Sequence, residues 1–179
     1  MGYTHYYNIQ NWDSPEWTRA WPQLIHDVPS IISAANIPLQ REDPTLTTTP
    51  ADAEDTTDEE IPPQPPLVDI NKGIKLNGAE DQGFEDLILA RGSPKWFVKT
   101  NRRPYDKVVA CVLLRAYMLA PGQFRLRSDG FWDYEDEWGV VRELYEKIWP
   151  GEEIRRPWRE EEDDGVGEAD DVEGSDFMG

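Results

Sequence analysis

The chain has 179 residues, of which 36 are acidic and 18 are basic, so its formal charge is −18. This length fits one domain with tails, and the charge argues against a general nucleic-acid binder or a polybasic membrane-surface protein, since both need surplus Lys and Arg. The sequence shows no signal-peptide pattern and no apolar run of about 18 residues, so we expect a cytoplasmic protein. It has only one cysteine, so we expect no intrachain disulfide.

Two segments carry most of the negative charge. Residues 41–66 hold eight acids and one base, with six of the 15 prolines and no aromatic residue, and residues 150–179 hold 12 acids and three bases. Neither segment can bury enough apolar surface to offset the entropy of ordering it. We therefore predict a disordered acidic insertion and a disordered acidic tail. The remainder, residues 1–40 and 67–149, then carries a net charge of only −2 and forms one domain.

The chain begins with a predicted strand and a predicted helix. Residues 2–9 are rich in aromatic and β-branched side chains, which favours a strand. A capping serine followed by proline then starts an apolar stripe with steps of three and four over residues 14–35. Pro22 and Pro29 lie within the stripe, so we expect a kink or two abutting helices.

The pattern after the acidic insertion predicts four more strands and two helices. The predicted strands are residues 73–78, 84–90, 96–100 and 124–128, and the predicted helices are residues 104–119 and 133–149. This order predicts an α+β fold, with a mixed or antiparallel sheet of about five strands and about three helices packed on one face.

A cationic segment leads into the second predicted helix. Residues 91–107 contain six Lys and Arg side chains, and a helix N-terminus adds free backbone N–H groups. Both features suit a carboxylate or a phosphate. Lys99, Arg102, Arg103 and Asp106 are therefore candidate ligand-binding residues. The alternative is that the cations only balance the acidic insertion or tail.

The first strand offers a candidate acid/base group. Tyr3, His5 and Tyr7 share one face of a strand, and imidazole is the most frequent general acid or base. We take His5, Tyr105 and Asp129 as candidate catalytic residues and Tyr3 as a candidate ligand-binding residue. The alternatives are an aromatic core face with one hydrogen-bonded histidine, and a simple Asp-Gly turn after the last strand.

No motif indicates a metal or a cofactor. The sequence lacks a two-histidine metal spacing, a Gly-rich phosphate loop and a serine nucleophile elbow. We therefore expect neither a metal site nor a cofactor. Cys111 lies on an apolar helix face and is expected to be a small core residue.

Three separated blocks resemble those of a protein family. They are MGYTHY at residues 1–6, FVKTNRRPYD at residues 97–106 and SDG at residues 128–130. The chain resembles an uncharacterised family of small phage and bacterial proteins that begin MGYTHYW, with a later FCKTARKPYD-like block and an SDG block. Tyr7 stands in place of the family's Trp, and Val98 in place of its Cys. The resemblance implies one compact domain but no reaction.

Three functions are compatible with these residues. The first is a cofactor-independent enzyme or ligand-binding protein that uses acid/base chemistry, such as isomerisation, cyclisation, elimination or hydrolysis, on an anionic or carbonyl-bearing small molecule. The alternative is a non-catalytic interaction protein whose acidic segments bind a basic protein partner. The third, nucleic-acid binding through the cations of residues 99–107 and Trp96, is the least favoured because of the net charge. No membrane association is expected.

Overall fold

The computed structural model describes residues 2–41 and 63–159, and these ranges contain strands and α-helices in the order β-α-β-β-β-β-β-α-β-α. The strands are β1 (Thr4–Ile9), β2 (Leu39–Gln40), β3 (Leu67–Asp69), β4 (Gly73–Gly78), β5 (Leu87–Leu89), β6 (Phe97–Lys99) and β7 (Phe124–Ser128). The α-helices are α1 (Pro15–Ala35), α2 (Asp106–Leu119) and α3 (Val140–Ile148). A 3₁₀ turn at Glu80–Gln82 follows β4, and a π-helical turn at Glu135–Gly139 precedes α3.

The strands form two antiparallel sheets. One sheet has the order β6-β1-β7, and the other has the order β2-β4-β3 with β5 also paired to β4. The α+β class is confirmed, whereas the single sheet of about five strands is replaced by two sheets. Strands β2 and β3 have only two and three residues, too few to show the alternating pattern that predicts a strand.

The register of the first sheet gives it two distinct faces. His5 lies opposite Val98 and Ser128, and Thr4 lies opposite Lys99. Residues directly opposite each other point to the same side, and neighbours along a strand alternate. We call the side of His5 and the fully buried Val98 the inner face, since it joins the hydrophobic core. Lys99 lies on the other side, which we call the outer face.

Helix α1 is one element and not two abutting helices. The side chain of Ser14 caps it by accepting from the backbone N–H of Trp17, and Asn36 ends it in the left-handed conformation with φ of 52°. Pro22 and Pro29 both lie on the exposed side of the helix. Their missing hydrogen bonds therefore leave the buried stripe uninterrupted.

Helix α2 is the centre of the core. Ten of its 14 residues are buried, and it contacts α1, α3 and β7. The free Cys111 is among them, and burial raises the pKa of its thiol to about 12. This residue therefore acts as a small apolar side chain, as the sequence predicts.

Arg115 is a buried charge within α2 and connects the three helices. Its guanidinium donates to Asp27 of α1 at 2.8 Å, to the hydroxyl of Tyr145 of α3 at 2.7 Å, and to Glu152 at 3.0 Å. The indole of Trp149 lies 4.0 Å from the same guanidinium. We call these five residues the Arg115 network. Burial of this cation is tolerated because both carboxylates face it.

Residues 150–159 pack against the core, unlike the disordered tail that was predicted from residue 150. Glu152 belongs to the Arg115 network, and Trp158 packs edge to face on Trp132 and Trp138. The prediction relied on the acid count and overlooked this tryptophan, whose burial and ring contacts offset the entropy of ordering the segment.

The remaining parts of the two predicted acidic segments, residues 42–62 and 160–179, lie outside the described residues. The insertion has an ordered base, because Arg41 forms a β-bridge with Gln64. Across residues 2–41 and 63–159, no helix has the length and apolar character needed to cross a membrane.

Candidate functional site

His5 lies at the centre of a hydrogen-bonded cluster on the inner face. Its side chain is fully buried, with Nδ1 2.8 Å from Oγ of Ser128 and Nε2 2.7 Å from Oδ1 of Asp106. Ser128 is placed by its β7 position directly opposite His5, and Asp106 is placed by the start of α2. The hydroxyl of Thr100 also donates to Oδ1 of Asp106. A strand pair and a helix start thus position both partners of the imidazole.

The hydroxyl of Ser128 has several hydrogen-bond partners. Its Oγ accepts the backbone N–H of Gly130 at 2.9 Å and the indole N–H of Trp138 at 3.0 Å. The same hydroxyl lies within hydrogen-bond distance of Nδ1 of His5 and is also hydrogen-bonded to the Tyr3 side chain. Ser128 thus connects His5 with Tyr3, Gly130 and Trp138, while Nε2 of His5 faces the carboxylate of Asp106.

The same hydrogen bonds exclude one familiar role for this cluster. A serine, a histidine and an aspartate in a row resemble a nucleophilic triad. Both lone pairs of the Ser128 hydroxyl are occupied by N–H donors, however, and a nucleophile needs a lone pair for attack. Ser128 is therefore an anchor for the imidazole and not a nucleophile.

Tyr3 packs against the imidazole on the inner face. The two rings meet edge to face with their centroids 5.2 Å apart, and only 3% of Tyr3 is exposed. Its hydroxyl leaves no room for a side chain at Gly130, where a Cβ would lie 1.9 Å from the phenolic oxygen. Burial, followed by the negative charges of Asp106 and Glu137, raises the pKa of Tyr3. The phenol is thus held neutral.

Arg102 covers the cluster on its solvent side. Its guanidinium lies 4.3 Å above the ring centroid of Tyr3 and donates to Oε1 of Glu137 at 2.6 Å, while 60% of the side chain is exposed. Asn101 and Arg102 have φ angles of 53° and 58°. Non-glycine residues in this left-handed region cost of order 1 kcal/mol each, and such strain is concentrated at functional sites.

The π-helical turn before α3 supplies two further members. The carboxylate of Glu137 is only 7% exposed and also accepts the backbone N–H of Phe131. The indole of Trp138 meets the imidazole of His5 edge to face at 5.4 Å. Single π turns are rare and frequently lie at functional sites. We call the whole group the His5 cluster; its members are Tyr3, His5, Thr100, Arg102, Asp106, Ser128, Glu137 and Trp138.

Four of the eight predicted site residues belong to the His5 cluster, namely Tyr3, His5, Arg102 and Asp106. Two of the others have structural roles. The buried hydroxyl of Tyr105 donates to the carbonyl oxygen of Glu85 at 2.7 Å, and burial raises the pKa of Tyr105. The exposed Asp129 accepts the backbone N–H of Thr4 at 3.0 Å and so fastens β7 to β1.

The remaining two predicted residues do not belong to the His5 cluster. Lys99 projects from the outer face, with its Nζ 5.6 Å from the ring centroid of Phe84. Arg103 is exposed, and its backbone N–H donates to the carbonyl oxygen of Thr100 in the turn before α2. The predicted site that combined Lys99 with His5 therefore does not form.

Four cluster residues were not predicted. Thr100 and Ser128 lie within the sequence blocks already singled out, so the strand register could have found them. Glu137 and Trp138 had no comparable signal, because no residue pattern predicts a π turn. The three blocks at residues 1–6, 97–106 and 128–130 nevertheless meet in this one cluster.

Asp106 and Arg102 are the members that a ligand can reach. The side chain of Asp106 is 17% exposed, and its Oδ1 is occupied by His5 and Thr100. Its Oδ2 accepts no hydrogen bond from any residue within 2–41 and 63–159. The arrangement thus presents a carboxylate oxygen that can take a proton beside a guanidinium that can hold an oxygen atom.

Two clefts of the described residues have linings that do not include the His5 cluster. One of about 400 Å³ is lined by Trp12, Trp21 and Arg91, and one of about 510 Å³ is lined by Tyr7 and Trp96. In the part of the chain that the structure describes, no three His, Cys, Asp or Glu side chains are grouped so that they could hold a metal ion.

Comparison with known proteins gives no further guide. No family model matches the chain, and neither a curated protein nor a solved structure matches it. The resemblance to the phage and bacterial family stays a prediction, and functional inference rests on the geometry of the site.

Proposed function

We propose that this protein binds a small anionic or carbonyl-bearing molecule at the His5 cluster and performs acid/base chemistry on it without a cofactor. The observation that supports the proposal is the convergence of polar side chains from three distant sequence blocks on one buried histidine. A left-handed turn and a π turn border the same cluster, and both features are concentrated at functional sites.

Arg102 is the ligand-binding group of the proposal. A guanidinium is always charged and presents planar N–H donors that match a carboxylate or a carbonyl oxygen. The ring of Tyr3 supports one side of this guanidinium, and Glu137 takes one of its N–H groups. The remaining donors are directed by these two contacts and are available to the ligand on the exposed side.

Asp106 is the proton acceptor of the proposal. Its carboxylate takes a proton from the carbon next to the ligand carbonyl. The electron pair of that C–H bond forms a carbon–carbon double bond, and the π pair of the carbonyl moves to its oxygen, which gives an enolate. Arg102 stabilises the negative charge on this oxygen. The protonated Asp106 then returns the proton to the same carbon, which regenerates the ligand, or to another atom, which isomerises it.

His5 is a positioning residue. It does not reach the ligand, because its side chain is fully buried and both ring nitrogens are hydrogen-bonded. Its Nε2–H and the Thr100 hydroxyl hold Oδ1 of Asp106, which leaves Oδ2 directed to the ligand.

Deuterium exchange tests the proposal without knowledge of the natural substrate. The full chain is incubated in D₂O with pyruvate, 2-oxoglutarate or acetoacetate, and the loss of the C–H signal beside the carbonyl is followed by proton NMR. We expect exchange above the buffer rate for at least one probe. Asp106→Asn should slow it by about 100-fold or more, as for the loss of a general base.

Asp129→Asn is the matched control, since Asp129 is an exposed aspartate that follows β7 and accepts the backbone N–H of Thr4. It should retain the exchange rate. The proposal is wrong if the wild-type chain exchanges none of the probes, or if Asp106→Asn and the wild type exchange equally. Circular dichroism of each variant establishes that the fold is intact.

The alternative function, an interaction protein whose acidic segments bind a basic partner, depends on residues 42–62 and 160–179. These residues lie outside the described ranges, so this alternative stays a prediction.

A further inference from the structure

The outer face of the sheet β6-β1-β7 combines aromatic and cationic side chains. The register places Tyr6 opposite Phe97 and Arg127, and Asn8 opposite Arg125. None of the three strands contains an acidic residue, although the chain has twice as many acids as bases. This composition sets the outer face apart from the rest of the surface.

The aromatic part of this face is open to solvent. Trp96, at the edge beside β6, is 56% exposed and stacks on Tyr6, with ring centroids 5.9 Å apart and an interplanar angle of 27°. Its ring also meets that of Phe97 edge to face at 4.9 Å. An exposed indole held in place by two other rings is a flat platform with little side-chain entropy left to lose.

The cationic part lies around the platform. Arg125 and Arg127 are exposed on β7, and Lys99 lies on β6. The ammonium of Lys95 lies 5.0 Å from the ring centroid of Phe97 and 3.6 Å from Glu85. Positive charge therefore flanks the stacked rings on both sides of the central strand.

The net charge of the chain does not describe this surface. Eight of the 36 acids lie in residues 42–62 and ten in residues 160–179, and neither segment contains a base. The rest of the chain thus has 18 acids and 18 bases and no net charge. The expectation that nucleic-acid binding is unlikely rested on the total of −18, and it does not apply to the outer face.

We propose that the outer face binds single-stranded nucleic acid, with bases stacked on Trp96 and Tyr6 and phosphates held by Lys99, Arg125 and Arg127. Stacking platforms flanked by cations are the means by which proteins bind single strands without sequence preference. An acidic peptide would also satisfy the cations, but it would not account for the exposed aromatic stack. A duplex keeps its bases stacked inside and cannot use the platform.

Fluorescence anisotropy tests this proposal. The full chain is titrated against fluorescein-labelled (dT)₁₂ and (rU)₁₂. If the cations of the outer face neutralise about three phosphates, the affinity for each oligonucleotide should fall about 20-fold between 50 and 200 mM salt. Trp96→Ala should weaken binding about tenfold, which corresponds to the loss of one stacked base. The two oligonucleotides distinguish RNA from DNA as the preferred strand.

Two control variants each remove an exposed aromatic or cationic side chain that does not belong to the outer face. Tyr134 is 55% exposed and lies before the π turn, and Arg91 is exposed and pairs with Asp13. Tyr134→Ala and Arg91→Ala should retain wild-type affinity, whereas Arg125→Ala combined with Arg127→Ala should weaken binding and reduce its salt dependence.

Three results of the oligonucleotide titrations would overturn the proposal. They are no binding of either oligonucleotide at 50 mM salt, equal affinity for a duplex of the same length, and equal effects of Trp96→Ala and Tyr134→Ala. Displacement of (dT)₁₂ by an equal concentration of a 12-residue polyaspartate would also overturn it, in favour of an acidic peptide as the occupant.

Discussion

The Arg115 network and the His5 cluster are buried polar groups that differ in how completely their hydrogen-bonding atoms are satisfied. In the Arg115 network, one guanidinium faces the carboxylates of Asp27 and Glu152, and Arg115 and Asp27 lie on regular helices. In the His5 cluster, Glu137 pairs with Arg102, which lies on a left-handed turn, whereas Asp106 is held through Oδ1 alone by Thr100 and the Ser128-bound His5.

This difference assigns a role in stability to the Arg115 network and a role in function to the His5 cluster. A satisfied network on regular backbone connects helices and has no group left for a ligand. The His5 cluster keeps backbone strain, an open carboxylate oxygen and a half-exposed guanidinium, which together are the features of a ligand site.

The largest effect is expected from breaking the Arg115 network. Arg115→Leu leaves the buried carboxylate of Asp27 without its cation, which should lower the free energy of unfolding by about 3–5 kcal/mol. Urea denaturation measures this change. Arg91→Leu removes an exposed pair with Asp13 and should cost less than about 1 kcal/mol. Equal costs for the two variants would contradict the role of the network.

A smaller effect is expected from crowding the His5 cluster. Gly130→Ala places a methyl group against the hydroxyl of Tyr3 and should cost about 1–3 kcal/mol of unfolding free energy. Tyr3→Phe removes that hydroxyl but leaves the ring carbon Cζ 2.7 Å from the added methyl group, so the double variant should recover only part of the loss. If the two effects simply add, the contact between Tyr3 and Gly130 is not what requires glycine.

Alkaline pH should weaken the fold through tyrosines of both regions. Burial is the largest cause that raises the pKa of Tyr3, Tyr7, Tyr105 and Tyr145 above the ordinary value of 10.0. The unfolded chain therefore loses these protons first. The stability that they contribute is complete below pH 10 and is lost as the pH rises above it.

Each such tyrosine lowers the unfolding free energy by about 1.4 kcal/mol per pH unit above 10. Urea denaturation at pH 9, 10.5 and 11.5 measures the slope. Tyr3→Phe should remove the contribution of one tyrosine from the slope of unfolding free energy against pH. An unchanged slope would show that Tyr3 is not held neutral in the fold.

The smallest effect is expected at the left-handed turn. Asn101→Gly should stabilise the fold by about 0.5 kcal/mol, because glycine adopts a φ of 53° without steric cost. Asn101→Ala should destabilise it by about 1 kcal/mol, since alanine lacks the local tolerance of asparagine for this region. Thermal unfolding compares the two, and a more stable alanine variant would argue against strain in this turn.

Local patterns were sufficient to predict most of the fold. The alternation in β1 and β7 and the helical stripes of α1 and α2 are visible in short windows of sequence. The division into two sheets was not predictable, because strand pairing is a long-range property that a single sequence does not display. The acid count also concealed the packed Trp158 within the predicted tail.

The site was predictable only in part, for a reason that His5 and Lys99 illustrate. Both residues were singled out by type, but Lys99 lies opposite Thr4 and not opposite His5, so it projects to the outer face. A shift of one residue in register would reverse this assignment. Residue type thus identified candidates, while register decided that Ser128 and not Lys99 is the partner of the imidazole.

The most direct test of a ligand site at the His5 cluster is an NMR titration of the ¹⁵N-labelled full chain with pyruvate, 2-oxoglutarate or acetoacetate. We expect shifts at the Nε–H of Arg102 and at the amides of Thr100 and Asp106, with the Nε–H of Arg115 unchanged. Saturating concentrations of all three probes that leave Arg102 and Asp106 unshifted, or that shift only residues outside the cluster, would contradict the assignment.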